Sequence, residues 1–198
     1  MTPSPHPQNR IALVTGAGRG IGQASALALG QAGARVAVVD VNPDSAQRTA
    51  NSIVGAGGVA VAHTADVSNK LAVQTLLYAV LEQWERIDLL VNAAHVMPDS
   101  SALKLDEWEW NRVLDVNLKG PFLVSQTAAR AMKETGGGLM LNVLRPIEAS
   151  PHAAVRAARE GLLGLTAALA AEWGAFGVRV EAVEPNQLLS RVKRWILD

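Results

Sequence analysis

The sequence predicts a single α/β domain built on a doubly wound parallel sheet of about six strands, with helices on both faces. Strand-like and helix-like segments alternate along the 198 residues, which favours a mostly parallel sheet. The strand segments are nearly uninterrupted apolar runs, as expected when both faces of a sheet are covered. A glycine-rich turn also lies between the first strand and the first helix, at residues 16–22.

The individual elements follow from these apolar runs and from helix start signals. Asn42 and Ser150 each cap a helix whose next residue is proline, and Ser68 precedes an apolar periodic segment. Strands are predicted at residues 10–15, 35–40, 59–63, 87–92, 138–144 and 178–183. Helices are predicted at residues 21–31, 43–54, 69–84, 105–133 with a break near Gly120-Pro121, and 151–173.

The composition fits one domain at residues 10–198, preceded by a proline-containing tail at 1–9 that we predict to be disordered. Hydrophobic residues make up 49% of the chain, and a formal net charge of +0 gives no sign of a nucleic-acid partner. The apolar runs are too short for a signal peptide or a membrane span, so a cytoplasmic location is expected. The absence of cysteine and the wide spacing of the four histidines argue against a metal site.

The glycine-rich turn has the layout that binds a dinucleotide pyrophosphate. Residues 11–22 read IALVTGAGRGIG, which is a strand, a turn and a helix start. Gly16 permits the sharp turn, Gly20 lets the backbone approach the phosphates, and Gly22 allows close packing of helix and strand. Asp40 ends the next strand, where a carboxylate can accept hydrogen bonds from both adenosine ribose hydroxyls and repel a 2′-phosphate. We therefore predict NAD(H) as the cofactor, preferred over NADP(H).

These residues and several later motifs resemble the short-chain dehydrogenase/reductase family over residues 10–190. The motifs are TGAGRGIG, Asp66-Val67 after the third strand, VNAA at 91–94, VLDVNLKG at 113–120, REGLLGLTAALAAEW and GVRVEAVEP. Within the family, the sequence is similar to 3-oxoacyl-carrier-protein reductases. The resemblance implies a Rossmann-like fold and an oxidoreductase that oxidises alcohols or reduces ketones with a nicotinamide cofactor.

The resemblance also implies roles for individual residues. Asp66 and Val67 would contact the adenine, Asn92 would support the cofactor and the sheet, and Asn117 would be the catalytic asparagine. From the residues alone, Asp66 can equally cap a helix or shape a turn, and Asn117 can bond the backbone at a helix kink. The implied cofactor-binding set is Gly16, Arg19, Gly20, Ile21, Gly22, Asp40, Asp66, Val67, Asn92, Ala93, Ala94 and Arg159.

Most of the family's catalytic residues are replaced in this sequence. The resemblance implies a tyrosine, a lysine four residues later, and a serine at the end of the preceding strand. Alignment places Val155 at the tyrosine position, Arg159 at the lysine position, and Leu144 and Arg145 near the serine position. Valine has no proton to donate, and a guanidinium keeps its proton at physiological pH, although Arg159 can still bond ribose hydroxyls. We expect impaired catalysis, with Asn117 the one catalytic residue retained.

Two further segments depart from the family. Ala94 and His95 stand where a glycine normally gives room beside the nicotinamide, and Pro185-Asn186 replaces a Pro-Gly pair. Because the sequence stops at residue 198, we expect the region that closes over the substrate to be missing. The candidates for a replacement acid are His152, His95 and Glu148.

Three functions remain open from the sequence. The first is an NAD(H)-binding subunit without catalysis, and the second is an active oxidoreductase whose site is rearranged or completed by a partner chain. The third is a scaffold whose nucleotide site is vestigial. The resemblance also implies a homodimer or homotetramer that packs through the helices near 119–133 and 151–173, the second of which is rich in alanine and glycine.

Overall fold

The architecture is a six-stranded parallel sheet, seen in a computed structural model that describes residues 10–98, 100–144 and 152–197. The strand order is β3-β2-β1-β4-β5-β6. The strands are β1 (Ile11–Thr15), β2 (Arg35–Asp40), β3 (Val59–Thr64), β4 (Leu89–Asn92), β5 (Gly138–Val143) and β6 (Val178–Val183). The predicted fold class is confirmed, and the strands differ from their predicted bounds only at the ends. The tail predicted at residues 1–9 lies outside the described residues.

The helices cover both faces of this sheet. They are α1 (Gly20–Gln31), α2 (Pro43–Gly55), α3 (Lys70–Trp84), α4 (Glu107–Leu114), α5 (Gly120–Glu134), α6 (Ala153–Trp173) and α7 (Pro185–Leu197). The Asn42 side chain caps α2 as predicted, by accepting a hydrogen bond from the Ser45 N–H at 3.0 Å. The cap predicted at Ser150 lies outside the described residues.

The prediction that Ser68 marks the start of α3 is wrong by one residue. The N-cap is Asn69, whose side chain accepts hydrogen bonds from the N–H groups of Leu71 at 2.9 Å and Ala72 at 3.1 Å. Ser68 is not available for this role, because its hydroxyl donates to the carboxylate of Asp66 at 2.6 Å. The serine therefore shapes the loop before the helix.

The prediction of a break near Gly120-Pro121 is also wrong, because the chain stays helical from α4 into α5. Residues Asp115–Lys119 form a π-helical turn, and the Gly120 N–H bonds the carbonyl of Asp115, five residues earlier. Pro121 has no N–H to donate, and it lies in the first turn of α5, where an intrahelical donor is not needed. The wider turn thus replaces the expected break.

Helix α7 follows directly after β6 and packs beside α1. Its Leu188, Val192 and Trp195 side chains are buried against the sheet. Arg10 lies over the Trp195 ring, 5.1 Å from the ring centroid, and its guanidinium donates to the Trp195 carbonyl. Arg191 forms two hydrogen bonds of 2.7 Å to the Glu181 carboxylate of β6. These contacts attach α7 to the residue that precedes β1 and to β6.

The sheet has a core on each face, because alternate residues of a strand point in opposite directions. Leu13 and Leu90 belong to the core under α3, α5 and α6, whereas Val14 and Leu89 belong to the core under α1, α2 and α7. Both faces are therefore apolar, which explains the uninterrupted apolar runs in the sequence. Among the described residues, no helix combines the length and apolarity needed to traverse a bilayer.

Candidate functional site

A cleft of about 460 Å³ lies at the carboxyl ends of the central strands. It lies where β1 has β2 on one side and β4 on the other, which is the switch point at which doubly wound sheets bind ligands. All of the predicted cofactor residues line this cleft except Asn92 and Arg159, which line a smaller cavity beside it. The fold thus brings together residues from six separate segments of the chain, which lie within 16–22, 39–41, 65–67, 93–96 and 112–116 and at Pro185.

The glycine turn leaves room at the mouth of the cleft. Gly16 has a φ of +63°, and a Cβ there would lie 2.6 Å from the Ala94 Cα atom, so no other residue fits. Gly20 has a φ of +58°, and a Cβ there would meet nothing within 4 Å. A Cβ on Gly22 would lie 2.3 Å from the Gly16 carbonyl oxygen. Gly16 and Gly22 are therefore required by close packing, whereas Gly20 opens the start of α1 towards the cleft.

Asp40 is oriented at the end of β2 by two backbone donors. Its Oδ2 accepts from the Gly18 N–H at 2.9 Å, and its Oδ1 accepts from the Asn42 N–H at 3.0 Å. A Cβ on Gly18 would lie 2.8 Å from Oδ2, so the turn and the carboxylate are packed together. The carboxylate is fixed in place before any ligand arrives.

Asp66 both shapes a turn and lines the cleft. Its Oδ1 accepts from the Ser68 N–H at 2.9 Å and from the Ser68 hydroxyl at 2.6 Å, and its Oδ2 accepts from Arg112 at 3.1 Å. Partial burial raises the pKa of Asp66, but the hydrogen bonds from Ser68 and Arg112 outweigh it and lower the pKa below its ordinary value. Asp66 is thus a carboxylate at neutral pH.

Arg112 is a cleft residue that sequence reasoning missed. It lies in α4, and Val116, four residues later, also lines the cleft. That spacing places both residues on one side of a helix, which is the signal that could have found them. Arg112 also donates to the Ser68 hydroxyl at 3.1 Å, so it joins α4 to the loop after β3.

Beneath the cavities, four buried polar side chains form one hydrogen-bonded chain across the sheet. The Asn92 amide donates to the Ser125 hydroxyl at 3.0 Å and to the Asn142 carbonyl oxygen at 2.9 Å. The Asn142 amide donates to the Thr166 hydroxyl at 2.9 Å. These bonds tie α5, β4, β5 and α6 together, and they offset the cost of burying the polar groups, since none of the four side chains is among those described with a buried unpartnered polar atom.

Asn117 lies in the π-helical turn and is 8% exposed. Its amide donates to the Val96 carbonyl at 2.8 Å, and its side-chain oxygen accepts from the Val96 N–H at 2.8 Å. The side chain therefore forms hydrogen bonds with the backbone, which is one of the two alternatives that the sequence left open for Asn117. The backbone that it contacts belongs to the loop after β4 and not to its own helix. Asn117 fixes that loop at the edge of the smaller cavity.

The smaller cavity contains the positions that the family resemblance assigns to the catalytic tyrosine and lysine. Val155 is 2% exposed and packs against Val113 and Ala158. The Arg159 side chain is 12% exposed and forms ion pairs with Glu184, at the end of β6, and with Glu160 at 2.9 Å. Both residues line this cavity beside Asn92 and Asn117.

The two described candidates for a replacement acid differ in position. His95 lines both the cleft and the smaller cavity, and its Nδ1 lies 3.2 Å from the Ala93 carbonyl oxygen. His152 lines neither cavity, and its Nδ1 lies 3.0 Å from the Ser100 carbonyl oxygen. Glu148 and Arg145 lie outside the described residues. Within the described part of the chain, no cluster of histidine and carboxylate residues could hold a metal ion.

The comparisons with known proteins agree with this geometry. A family profile for short chain dehydrogenase matches residues 10–196. The chain is 38% identical over 191 residues to a D-threitol dehydrogenase of Mycolicibacterium smegmatis, covering 94% of this chain and 74% of that protein. It is 36% identical over 181 residues to a 3-oxoacyl-[acyl-carrier-protein] reductase of Synechocystis, covering 89% of this chain and 73% of that protein.

A solved structure shows the same likeness. The crystal structure of a metagenomic short-chain oxidoreductase in complex with NADP matches with a TM-score of 0.89 and 32% sequence identity, covering 96% of this chain and 91% of that one. The chain belongs to the short-chain dehydrogenase family.

Proposed function

We propose that this chain binds NAD(H) in the large cleft but does not catalyse the family's alcohol–ketone reaction, and that it acts as a cofactor-bound or partner-binding subunit. The main support for this proposal is the difference between the residues that line the two cavities. The cleft keeps its glycine turn and both oriented carboxylates, whereas the smaller cavity has a buried valine and an ion-paired arginine at the family's catalytic positions.

The residues of the cleft fit a dinucleotide. Gly20 leaves open space beside the start of α1. The first backbone N–H groups of a helix have no partner within the helix, and together with the helix dipole they attract phosphate oxygens. Each Asp40 oxygen accepts one backbone hydrogen bond and retains one acceptor site, so the carboxylate can receive both ribose hydroxyls. When bound, the nicotinamide would supply hydride-transfer chemistry, while this chain would bind and orient the cofactor.

Asp40 also underlies the proposed preference for NAD(H). A 2′-phosphate would replace one ribose hydroxyl and would bring a second anion against the fixed carboxylate. The matching structure in complex with NADP shows that the family fold accepts the phosphorylated cofactor. We propose that the Asp40 carboxylate at the end of β2 sets the preference in this chain.

The proposed loss of catalysis follows from the smaller cavity. A positioned general acid contributes about 10²–10⁴-fold to a rate, and Val155 has no proton to supply. The Arg159 guanidinium is engaged by Glu184 and cannot relay a proton at physiological pH. Among the described residues that line this cavity, His95 is the one with an imidazole side chain, which can serve as an acid or a base.

His95 supports the second candidate function, an active oxidoreductase with a rearranged site or one completed by a partner chain. It is the histidine that lines both cavities, so a substrate beside the cofactor could reach it. Turnover of an alcohol or ketone that is lost in His95→Ala, with NADH affinity retained, would establish this candidate.

The apolar groove on the outer side of α5 and α6 supports a homo-oligomer. It has a volume of about 430 Å³ and is lined mainly by Leu114, Leu118, Phe122, Gly161 and Leu165. Phe122 lies on α5, and Gly161 and Leu165 lie on α6, which are the two helices through which we propose that the chain forms a dimer or tetramer. Leu114 ends α4, and Leu118 lies in the π-helical turn between α4 and α5. Gly161 is small enough to allow close helix approach across such a contact.

Cofactor binding is tested by energy transfer from tryptophan to NADH. We expect saturable transfer with NADH, affinity at least about tenfold weaker for NADPH, and a smaller difference in Asp40→Ala. Asp44→Ala, in the first turn of α2, is the matched control and should behave as the wild type. Absence of saturable transfer would favour the vestigial scaffold, and equal affinity for NADH and NADPH would contradict the role of Asp40.

A further inference from the structure

Glu184 lies at the end of the large cleft that is opposite to Asp40. Asp40 ends β2 and Glu184 follows β6, and these strands are four positions apart in the sheet, or about 19 Å at the usual strand spacing. Pro185, the residue after Glu184, lines the cleft, and His95 lines both the cleft and the smaller cavity. A dinucleotide whose adenosine ribose is held by Asp40 would therefore extend its nicotinamide towards Glu184.

Glu184 is the main counter-charge of a cation in the smaller cavity. Among the described residues that line this cavity, Arg159 is the one with a permanent positive charge. Its guanidinium donates to the carboxylate of Glu184 and, at 2.9 Å, to that of Glu160. The side chain of Arg159 is 12% exposed, that of Glu184 35% and that of Glu160 64%. Water therefore screens Glu160 more than Glu184.

The charge of this group matters because the oxidised and reduced cofactors differ in charge. The nicotinamide ring carries one positive charge in NAD⁺ and none in NADH. A guanidinium without a counter-charge would repel the ring of NAD⁺ and would leave NADH almost unaffected. Within the described residues, the group formed by Arg159, Glu160 and Glu184 has one positive and two negative charges, so it attracts a cation instead.

We propose that Glu184 determines a preference for the oxidised cofactor, so that this chain is a redox-state-selective subunit that binds NAD⁺ more tightly than NADH. This inference rests on the proposed binding of NAD(H). Glu184 acts on the cofactor through its charge and through Arg159, and it takes no part in a chemical step. At equal concentrations of the two forms, the cleft is then occupied mainly by NAD⁺.

Substitutions of the two partners should shift this preference in opposite directions. Glu184→Gln keeps an acceptor for the guanidinium and removes the negative charge, so NAD⁺ is disfavoured. Arg159→Gln removes the positive charge and leaves the carboxylate, so NAD⁺ is favoured further. Glu184→Asp keeps the charge and should keep the preference. A purely structural role of the ion pair predicts no such opposite shifts.

The test measures two dissociation constants for each variant. NADH is titrated by tryptophan energy transfer, and NAD⁺ is titrated by its displacement of bound NADH. The dissociation constant of NADH divided by that of NAD⁺ should exceed one in the wild type, fall at least about threefold in Glu184→Gln and rise in Arg159→Gln. Glu172→Gln, at an exposed position of α6, is the matched control and should keep the wild-type ratio. General weakening of the fold changes both constants alike and leaves the ratio unchanged.

The outcomes separate the inference from the proposed function. A wild type that binds neither form contradicts the proposed function itself. A wild-type ratio of one or less, or a fall of less than about threefold in Glu184→Gln, overturns the inference and leaves NAD(H) binding intact. A fall in Glu184→Asp as large as that in Glu184→Gln also overturns it, because the charge is then not the cause. If Glu184→Gln fails to fold by thermal melting, Arg159→Gln decides, and a ratio that does not rise overturns the inference.

Discussion

Asp40 and Asp66 show how single side chains in the cleft acquire fixed positions. Asp40 is held by the backbone N–H groups of Gly18 and Asn42, so its place follows from the local turn and the end of β2. Asp66 also depends on Arg112, which is 46 residues away in sequence. The first position could be predicted from the sequence because it is local. The second could not, because it depends on how α4 packs against the loop after β3.

His63 gives a prediction about stability and pH. It lies in β3, and its Nε2 atom is buried and has no hydrogen-bond partner among the described residues. Burial lowers the pKa of His63 below its ordinary value of 6.5. The unfolded chain therefore binds this proton more readily than the folded protein, so stability is lost as the pH falls below about 6.5. We expect the free energy of unfolding in urea to decrease from about pH 7.5 to about pH 5.

The variant His63→Val isolates this contribution. It removes the titrating group and keeps a β-branched residue in the strand, so the decrease in stability between the two pH values should be smaller than in the wild type. Thr64→Val, an exposed neighbour in the same strand, leaves His63 in place and should keep the wild-type decrease. An identical decrease in His63→Val and in the wild type would show that His63 does not contribute.

At the scale of elements, the strands were predictable and two features of the helices were not. The strands are apolar runs covered on both faces, a pattern that depends only on the local sequence. The π-helical turn at Asp115–Lys119 depends on a hydrogen bond over five residues, which no residue type specifies. Helix α7 has apolar residues at Leu188, Val192 and Trp195, a helical spacing, but their burial depends on the surface that α1 offers.

Helix α7 should contribute strongly to stability. Leu188 is fully buried against the sheet, so Leu188→Ala should lower the free energy of unfolding by about 2–5 kcal/mol through lost burial and a cavity. Lys193→Ala, on the exposed side of the same helix, should change it by no more than about 0.5 kcal/mol. Urea unfolding followed by circular dichroism measures both. If Leu188→Ala and Lys193→Ala both changed the free energy of unfolding by the same small amount, α7 would not unfold together with the rest of the domain.

At the scale of the whole molecule, the sheet and the site depend on the same long-range contacts. The hydrogen-bonded chain from Ser125 through Asn92 and Asn142 to Thr166 joins the helices on one face to the strands that end at the cavities. The sequence motifs predicted that Asn92 and Asn117 lie near one site. They did not predict Ser125, Asn142 or Thr166, because partners that satisfy a buried amide are defined only once the strands are in register.

The groove between α5 and α6 gives a prediction about assembly. Multi-angle light scattering of the purified protein should give the mass of a dimer or tetramer, and Phe122→Asp should shift it towards the monomer, because a charge in the apolar contact is desolvated without a partner. Phe176→Asp, at an exposed position that lines no part of this groove, is the matched control. A wild type that is monomeric at micromolar concentration would contradict the proposed assembly.

The most direct test of the account is turnover by the purified chain once NADH binding has been shown. NADH oxidation is followed with a panel of ketones and NAD reduction with a panel of alcohols, with the Mycolicibacterium smegmatis D-threitol dehydrogenase assayed alongside as a positive control. Because the tyrosine and the serine that the family resemblance implies are both replaced in this sequence, the turnover number should lie at least about 10³-fold below the usual enzyme range of about 1–10³ s⁻¹. A turnover number of about 1 s⁻¹ or more on any of these compounds would contradict the account.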